Sequence, residues 1–359
     1  MRIGILNLPF DNNYGGNLQR YALVKTLQKM GHDVECVFLY PKYSLPIYKW
    51  PYSYTKRLIK KIVKGDNSPI LLEQVKARNA KEMNSLALAF YNHYIPHTKL
   101  VKSLNELINE TNEKYDAFVV GSDQVWREDM TRDIGIENYF FKFLKGSNTK
   151  RIAYAISLGT EKKYPSELVR KLTPLYSKFD FVSVREDTAL NIIESYGWTN
   201  PDPQWVLDPT LLLTQDDYIN LIKATETNSN TTKGKIFCYI LDKNENKKGI
   251  INQISNSRGL STYEVGLKDT AKVSIEQWLC NIKNSEMVIT DSYHGIVFSI
   301  IFRRPFIFLP NEVRGNSRIE SLFRQLGISE NHLIWTEIHD KLKSWRKFSL
   351  DILSDSLKG

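Results

Sequence analysis

Short apolar runs recur along the chain, and most of them stop at glycine or at small polar residues. Arg2–Leu6, Val34–Leu39, Tyr115–Val120, Arg151–Ser157 and Phe181–Val184 read as buried parallel strands in the first half. Ile236–Leu241, Ser261–Val265, Met287–Thr290 and Phe306–Leu309 read the same way in the second. Helical spacing separates them: Leu23, Leu27 and Met30 share a face of Leu18–Met30, which ends at Gly31. Further helices are expected near Ser166–Phe179, Thr188–Tyr196, Ile296–Phe302 and Ile319–Leu326. Ser274 followed by Gln277 marks the start of another, running to Asn284. Residues 70–114 read as helical and connective. The alternation predicts an α/β chain of two Rossmann-like doubly wound domains facing a cleft. Pro201-Asp202-Pro203 divides residues 1–203 from residues 204–335. Residues 336–359 are expected to form a terminal helix that returns to the first domain.

Polar and ionisable residues gather where strands end, the ligand edge of an open α/β sheet. Asp291 and Ser292 follow Met287–Thr290 and are good helix N-caps, and His294 and Gly295 fall at the turn into an apolar helix. Gly295 is expected to relieve that turn ahead of the β-branched Ile296. The helix N-terminus favours an anion, and a histidine there can titrate near neutral pH. Arg185 ends another strand, where its planar fork would hold a phosphate or carboxylate, or pair locally with Glu186 or Asp187. The loop from Asp11 to Tyr21 contains Gly15-Gly16 without the dinucleotide spacing. Asn17 and Gln19 supply amides there, in a ligand-approach loop or an ordinary tight one. Gly121-Ser122-Asp123 ends a third strand. Charged strand ends in both halves imply a site between the domains, an architecture shared with two-domain (GT-B type) glycosyltransferases.

Composition narrows the classes. The chain has 359 residues and a formal net charge of +9. Between Lys42 and Lys81 there are ten Lys or Arg against Asp66 and Glu73 alone, nearly the whole excess. The remainder is close to neutral, which speaks against a nucleic-acid groove. Within 43–64, Tyr43, Tyr48, Trp50, Tyr52 and Tyr54 precede Thr55–Lys64, which puts Leu58, Ile59, Ile62 and Val63 on one helical side. Lys56, Arg57, Lys60, Lys61 and Lys64 lie around the other. Such a segment suits an anionic membrane surface or forms a solvated surface helix. The absence of a long apolar tract predicts no membrane span. Cys36, Cys238 and Cys280 are odd in number and widely spaced, so neither a disulfide frame nor a zinc site is expected. The expected location is cytoplasmic, peripheral at the inner face of the membrane.

Five segments carry a resemblance in family order: Asn13-Tyr14-Gly15-Gly16-Asn17-Leu18-Gln19, Gly121–Trp126, Ser183-Val184-Arg185-Glu186, Leu207-Asp208-Pro209-Thr210 and Ile289–Gly295. Together they resemble the polysaccharide pyruvyl transferases over roughly residues 1–330. The family often has aspartate where this chain has Glu186, and the 43–64 stretch is not part of the shared pattern. The resemblance implies transfer of a pyruvyl group from phosphoenolpyruvate to a sugar hydroxyl pair, forming a pyruvate ketal. No metal or cofactor is implied; phosphoenolpyruvate is a co-substrate. The implied acceptor is a sugar of a cell-surface polysaccharide; the basic aromatic stretch 43–64 adds the expectation that its precursor is lipid-linked, through polyprenyl diphosphate.

Resemblance and placement together assign His294 to proton transfer and Arg185 to the phosphate or carboxylate. Arg318, Arg314, Ser292 and Gly295 are assigned to the donor. Tyr14, Asn17, Gln19 and Asp123 are assigned to the acceptor. Asp291 orients His294 or caps its helix, and Asp208 fixes the interdomain loop. Two other classes stay open at this point: a nucleotide-sugar glycosyltransferase of the same build, and a non-catalytic scaffold in polysaccharide assembly.

Overall fold

The computed structural model describes residues 1–41, 50–65, 69–144, 148–226, 231–311, 316–329 and 335–358. Its strands are β1 (Arg2–Leu6), β2 (Asp33–Leu39), β3 (His97–Val101), β4 (Ala117–Asp123), β5 (Lys150–Ile156), β6 (Phe181–Val184), β7 (Gln204–Trp205), β8 (Ile236–Tyr239), β9 (Thr262–Val265), β10 (Met287–Thr290) and β11 (Phe306–Phe308). The helices are α1 (Tyr14–Lys29), α2 (Trp50–Lys64), α3 (Leu72–Met83), α4 (Ser85–Tyr94), α5 (Leu104–Thr111), α6 (Ser166–Tyr176), α7 (Asp187–Glu194), α8 (Gln215–Glu226), α9 (Glu245–Arg258), α10 (Ile275–Asn284), α11 (Tyr293–Ile301), α12 (Ser317–Leu326) and α13 (Trp335–Leu357).

Side chains alternate across each strand, and this builds two faces on the first sheet. Ala117 and Val119 of β4 join Ile3 and Ile5 of β1 against Leu23 and Leu27 of α1. Phe118 and Val120 join Leu6 on the other face. Helices cover both faces, as a buried parallel sheet requires. Among the described residues the first sheet has the order β3-β2-β1-β4-β5-β6-β7, and every pairing is parallel. The second has the order β11-β10-β8-β9, again parallel. Each is doubly wound, and the order of strands reverses between β1 and β4 in one sheet and between β8 and β10 in the other. Those reversals open crevices at the C-terminal strand ends, where ligands of such sheets bind.

The first sheet runs through Trp205, just past the expected division at 203, because β7 pairs with β6. Terminal helix α13 lies against this first sheet: Leu207 N donates to Ser349 Oγ at 3.0 Å, and Trp345 meets Trp205 edge-on at 5.1 Å. The strand β3 was not expected within 70–114. It is a partly exposed edge strand, Lys99 and Leu100 facing outward, so it shows neither a continuous apolar run nor clean alternation.

Side chains stitch the two sheets together around the crevices. Tyr14 Oη donates to Val273 O at 2.6 Å, and its ring packs against Tyr239 and Trp278. Asn12 Nδ2 donates to Thr270 Oγ1 at 2.6 Å. On the other side, Arg324 of α12 makes a two-pronged pair with Asp187 of α7. Among the described residues no helix is long and apolar enough to cross a membrane. The three cysteines are buried and form no disulfide.

Candidate active site

The strand β10 delivers the chain into α11 through Ser292, whose Oγ accepts from Gly295 N at 3.4 Å. Ser292, not Asp291, therefore caps the helix. Asp291 has different work. Its carboxylate accepts from Leu241 N at 2.7 Å, Asp242 N at 3.1 Å, Lys247 Nζ at 2.7 Å and Asn311 Nδ2 at 3.0 Å. A buried anion with four donors is well compensated. Asp291 thus locks the β8 and β10 strand ends to each other, and it orients His294 only by fixing the start of its helix.

Gly295 does not relieve a left-handed turn, since it lies in the first turn of α11. Its missing side chain matters for a different reason: a Cβ there would collide with Thr290. Its N–H is engaged by Ser292 Oγ, while Ser292 itself lines the cleft. A second glycine matters more. The helix α1 begins at Tyr14, earlier than its apolar spacing indicates, because Asn13 caps it by accepting from Gly16 N at 3.3 Å. Gly15 is therefore helical, and a Cβ on it would strike the His294 ring. The first domain leaves space for the histidine of the second. Gly15→Ala is expected to displace that ring, with a modest stability loss of about 1–3 kcal/mol. Turnover should fall much further than melting temperature, which steady-state assays and calorimetry on one preparation will check.

His294 faces Asp208 across the domain boundary, with Nε2 3.9 Å from Asp208 Oδ2. The same oxygen accepts from Arg185 Nη1 at 2.9 Å and Gln19 Nε2 at 2.6 Å. Asp208 Oδ1 accepts from Thr210 N at 3.0 Å and Thr210 Oγ1 at 2.6 Å. The imidazole and the guanidinium thus come from different sheets and meet at one carboxylate oxygen. Asp208 is the hub of the site. It follows β7 directly and caps the turn at Pro209–Leu211.

Arg185 does not project freely toward a ligand. Its side chain is almost wholly buried, beside Asp208, Asp123 Oδ1 at 3.5 Å and Glu186 Oε2 at 3.6 Å, and its guanidinium lies 5.2 Å from the Tyr293 ring centroid. Burial opposes its charge, but the three carboxylates outweigh burial and hold it protonated. Arg185 therefore positions Asp208 and Asp123, and it helps hold the Asp208 carboxyl down. Glu186 also receives Ser157 Oγ at 2.6 Å and Leu158 N at 3.2 Å, tying the end of β5 into the cluster.

Electrostatics place the proton. Burial pushes the His294 imidazole down to about 4, against the pull of Asp208 and with the push of Arg185. Burial alone would raise the Asp208 carboxyl. The imidazole, the guanidinium and the Thr210 hydrogen bonds outweigh burial and keep it below the usual carboxylate range. At neutral pH the pair is carboxylate and neutral imidazole. This corrects the expectation of a histidine titrating near neutrality, because enclosure between two domains removes the water that would solvate its charge. Its Nε2 is buried 3.9 Å from Asp208 Oδ2 and has no hydrogen-bond partner among the described residues.

The cleft beside His294 has a volume of about 250 Å³ and two unlike walls. On the second-domain side stand Asp291, whose charge is met by Lys247, and Ser292, Tyr293, His294 and Arg318. Arg318, in the first turn of α12, is the one cationic side chain among the described lining residues. On the first-domain side stand Asp11, Asn12, Asn13, Asp123 and Gln124. Asp123 ends β4 with φ at 84°, a left-handed backbone uncommon for aspartate, and its carbonyl accepts from Ser157 N at 2.9 Å. Such local strain persists where surroundings over-determine it, and here it aims a carboxylate at the cleft.

Three residues expected to meet the acceptor are used elsewhere. Tyr14 is spent on the interdomain contact. Asn17 Nδ2 donates to Asp11 O and Asn13 O, both at 3.0 Å. Gln19 Nε2 is held by Ser122 Oγ at 2.9 Å and by Asp208. All three sit inside α1, where their side chains are buried. The residues that do face the cleft, Asp11, Asn12 and Asn13, precede the helix in the same loop. The polar run Asp11-Asn12-Asn13 in the loop between β1 and α1 was the signal for them. Arg314 and Gly315 lie outside the described residues.

Comparison with known proteins places this arrangement in a class. A family model described as polysaccharide pyruvyl transferase matches residues 13–312. The chain belongs to the polysaccharide pyruvyl transferase family. No curated protein matches it. Among solved structures, it is similar to the UDP-GlcNAc 2-epimerase of Methanocaldococcus jannaschii in complex with UDP-GlcNAc and UDP. That match has 13% identity and a TM-score of 0.48, covering 96% of this chain and 93% of that one. It is also similar to the UDP-GlcNAc 2-epimerase of Neisseria meningitidis bound to UDP-GlcNAc, with 9% identity and a TM-score of 0.47, covering 99% of each chain.

Proposed function

We propose that the protein transfers the pyruvyl group of phosphoenolpyruvate to two hydroxyls of a sugar in a polysaccharide precursor, closing a pyruvate ketal and releasing phosphate. The observation that carries this reading is the pair of unlike walls meeting at His294. The donor is an anion with a phosphate and a carboxylate, and it suits the wall of Arg318 and the α11 N-terminus. A sugar is a set of hydroxyls, and it suits the carboxylates and amides of Asp11, Asn12, Asn13 and Asp123.

The chemistry balances without a further reactant. A proton joins the methylene carbon of the donor, which makes the neighbouring carbon electrophilic. One sugar hydroxyl attacks that carbon and gives up its proton. The second attacks as the carbon–oxygen bond to phosphate breaks, and its proton leaves with phosphate. Two O–H protons are lost, one to the new methyl group and one to the released phosphate. His294 is neutral before the donor arrives. Nearby phosphate and carboxylate charges favour its protonated form, so donor binding arms it as the acid for the methylene carbon. Asp123 then accepts the hydroxyl proton, while Arg185 and Asp208 hold the constellation in place.

The test is phosphate release from phosphoenolpyruvate with a panel of galactoside and mannosaminide acceptors. Release that depends on acceptor is expected. Release without any acceptor, or calorimetric binding of nucleoside diphosphates in place of phosphoenolpyruvate, contradicts the reading. Arg318→Gln is expected to raise the Michaelis constant for the donor by roughly ten- to a hundredfold, the worth of a charge-assisted hydrogen bond. The constant for the acceptor should stay close to that of the wild type.

A further inference from the structure

The helix α2 presents an apolar face to solvent. Half-buried Ser53, Tyr54 and Arg57 mark the side turned toward the protein. Arg57 anchors that side through two hydrogen bonds to Glu73, at 2.7 and 2.6 Å, and one to Ile70 O at 3.0 Å. At 100° per residue, Tyr52, Leu58, Ile59, Ile62 and Val63 fall on the opposite side. They are exposed there: Leu58 45%, Ile59 54%, Ile62 74% and Val63 73%. Lys56 and Lys60 flank this stripe on one edge and Lys61 on the other, and the helix contains no acidic residue. Tyr43, Tyr48 and Lys49 lie outside the described residues.

We infer that α2 docks the protein on an anionic lipid surface. A contiguous exposed apolar stripe marks an interaction site. Its lysine borders decide the partner. Burying the stripe against a second copy would bring like charges together, whereas acidic headgroups neutralise them while the acyl boundary takes the apolar side chains. The position fits the proposed acceptor. The segment from α2 to α4 leaves the first sheet after β2 and returns through α4, and both of its roots pack on Phe10: Tyr40 stacks on that ring at 6.0 Å and Tyr91 meets it at 5.3 Å. Phe10 immediately precedes Asp11 of the sugar-facing wall. The segment that carries α2 is thus rooted beside that wall, which suits an acceptor linked to lipid. The docking itself is independent of the chemistry in the cleft; only the lipid linkage of the acceptor rests on the pyruvyl-transfer reading.

The test is flotation of the full chain with vesicles of phosphatidylcholine alone and of phosphatidylcholine with phosphatidylglycerol. Binding to the anionic vesicles only, reversed by high salt, is expected. The exposed variant Lys56→Glu/Lys60→Glu/Lys61→Glu should weaken it by about a hundredfold or more, and Ile59→Ser/Ile62→Ser should abolish it. Both variants should keep wild-type turnover on a soluble sugar, so a loss of docking is separable from a loss of catalysis. Binding that survives both variants overturns the inference. So does absence of binding, and ultracentrifugation then tells whether the stripe joins two copies of the chain, since Ile59→Ser/Ile62→Ser would dissolve such a dimer.

Discussion

Alanine in place of His294 is expected to lower kcat by about a hundred- to ten-thousandfold, the range for losing a positioned general acid or base. The Michaelis constant for the donor should change little, because the proposed function gives the anion chiefly to Arg318 and the α11 N-terminus. The same side chain has a signature in stability. Its imidazole titrates near 4 in the folded protein and near its ordinary value of 6.5 when unfolded. Between those two values the unfolded chain binds more protons than the folded one, so stability falls as pH drops from 6.5 toward 4. The contribution is about 3 kcal/mol at full effect. His294→Gln, which cannot take up the proton, should remove that part of the acid sensitivity. Denaturant melts of both proteins across the window will read the difference. Parallel curves would show that the imidazole is solvated and not enclosed.

Arg185→Met is expected to be among the most destabilising single changes in the chain, at about 3–5 kcal/mol. The cost comes from what remains, since Asp208 and Glu186 would stay buried without their common cation. For a domain of about 200 residues that corresponds to a melting-point drop of roughly 6–20 °C. Two controls separate this from simple loss of packing. Adding Asp208→Asn to Arg185→Met should recover part of the stability, because one stranded charge is gone. Lowering the pH should narrow the gap to the wild type as the stranded carboxyls take up protons. If neither manipulation narrows it, the guanidinium matters for its volume and not its charge.

Much of this architecture could be read from pattern alone. Phe181–Val184 and Met287–Thr290 are strands with the expected bounds, because continuous apolar runs closed by turn residues have few other readings. The Ser274–Gln277 capping box forms as expected, a local motif complete within four residues. The site divides along the same line. His294, Arg185 and Asp123 could be picked out because ionisable groups at strand ends are conspicuous, Asp208 because it falls in a family motif, and Arg318 because it follows a polar loop. Their partners could not, since those depend on residues distant in sequence. No local pattern shows that Gly15 clears room for a ring 279 positions later, or that Gln19 reaches Asp208. For a simpler reason, Tyr14, Asn17 and Gln19 do not line the cleft. Asn13 starts α1 early, which turns Tyr14, Asn17 and Gln19 inward and leaves Asp11 to Asn13 facing the cleft.

The central claim is that His294 works between an anion-binding wall and a sugar-binding wall to make a ketal. Mass spectrometry of the acceptor after incubation with phosphoenolpyruvate in heavy water tests it most directly. The account predicts a pyruvylated sugar whose new methyl group carries one solvent-derived deuterium, formed by the wild type and nearly absent with His294→Ala. A sugar left unmodified by the wild type with every acceptor tried, or ketal formed at an undiminished rate without His294, would contradict it.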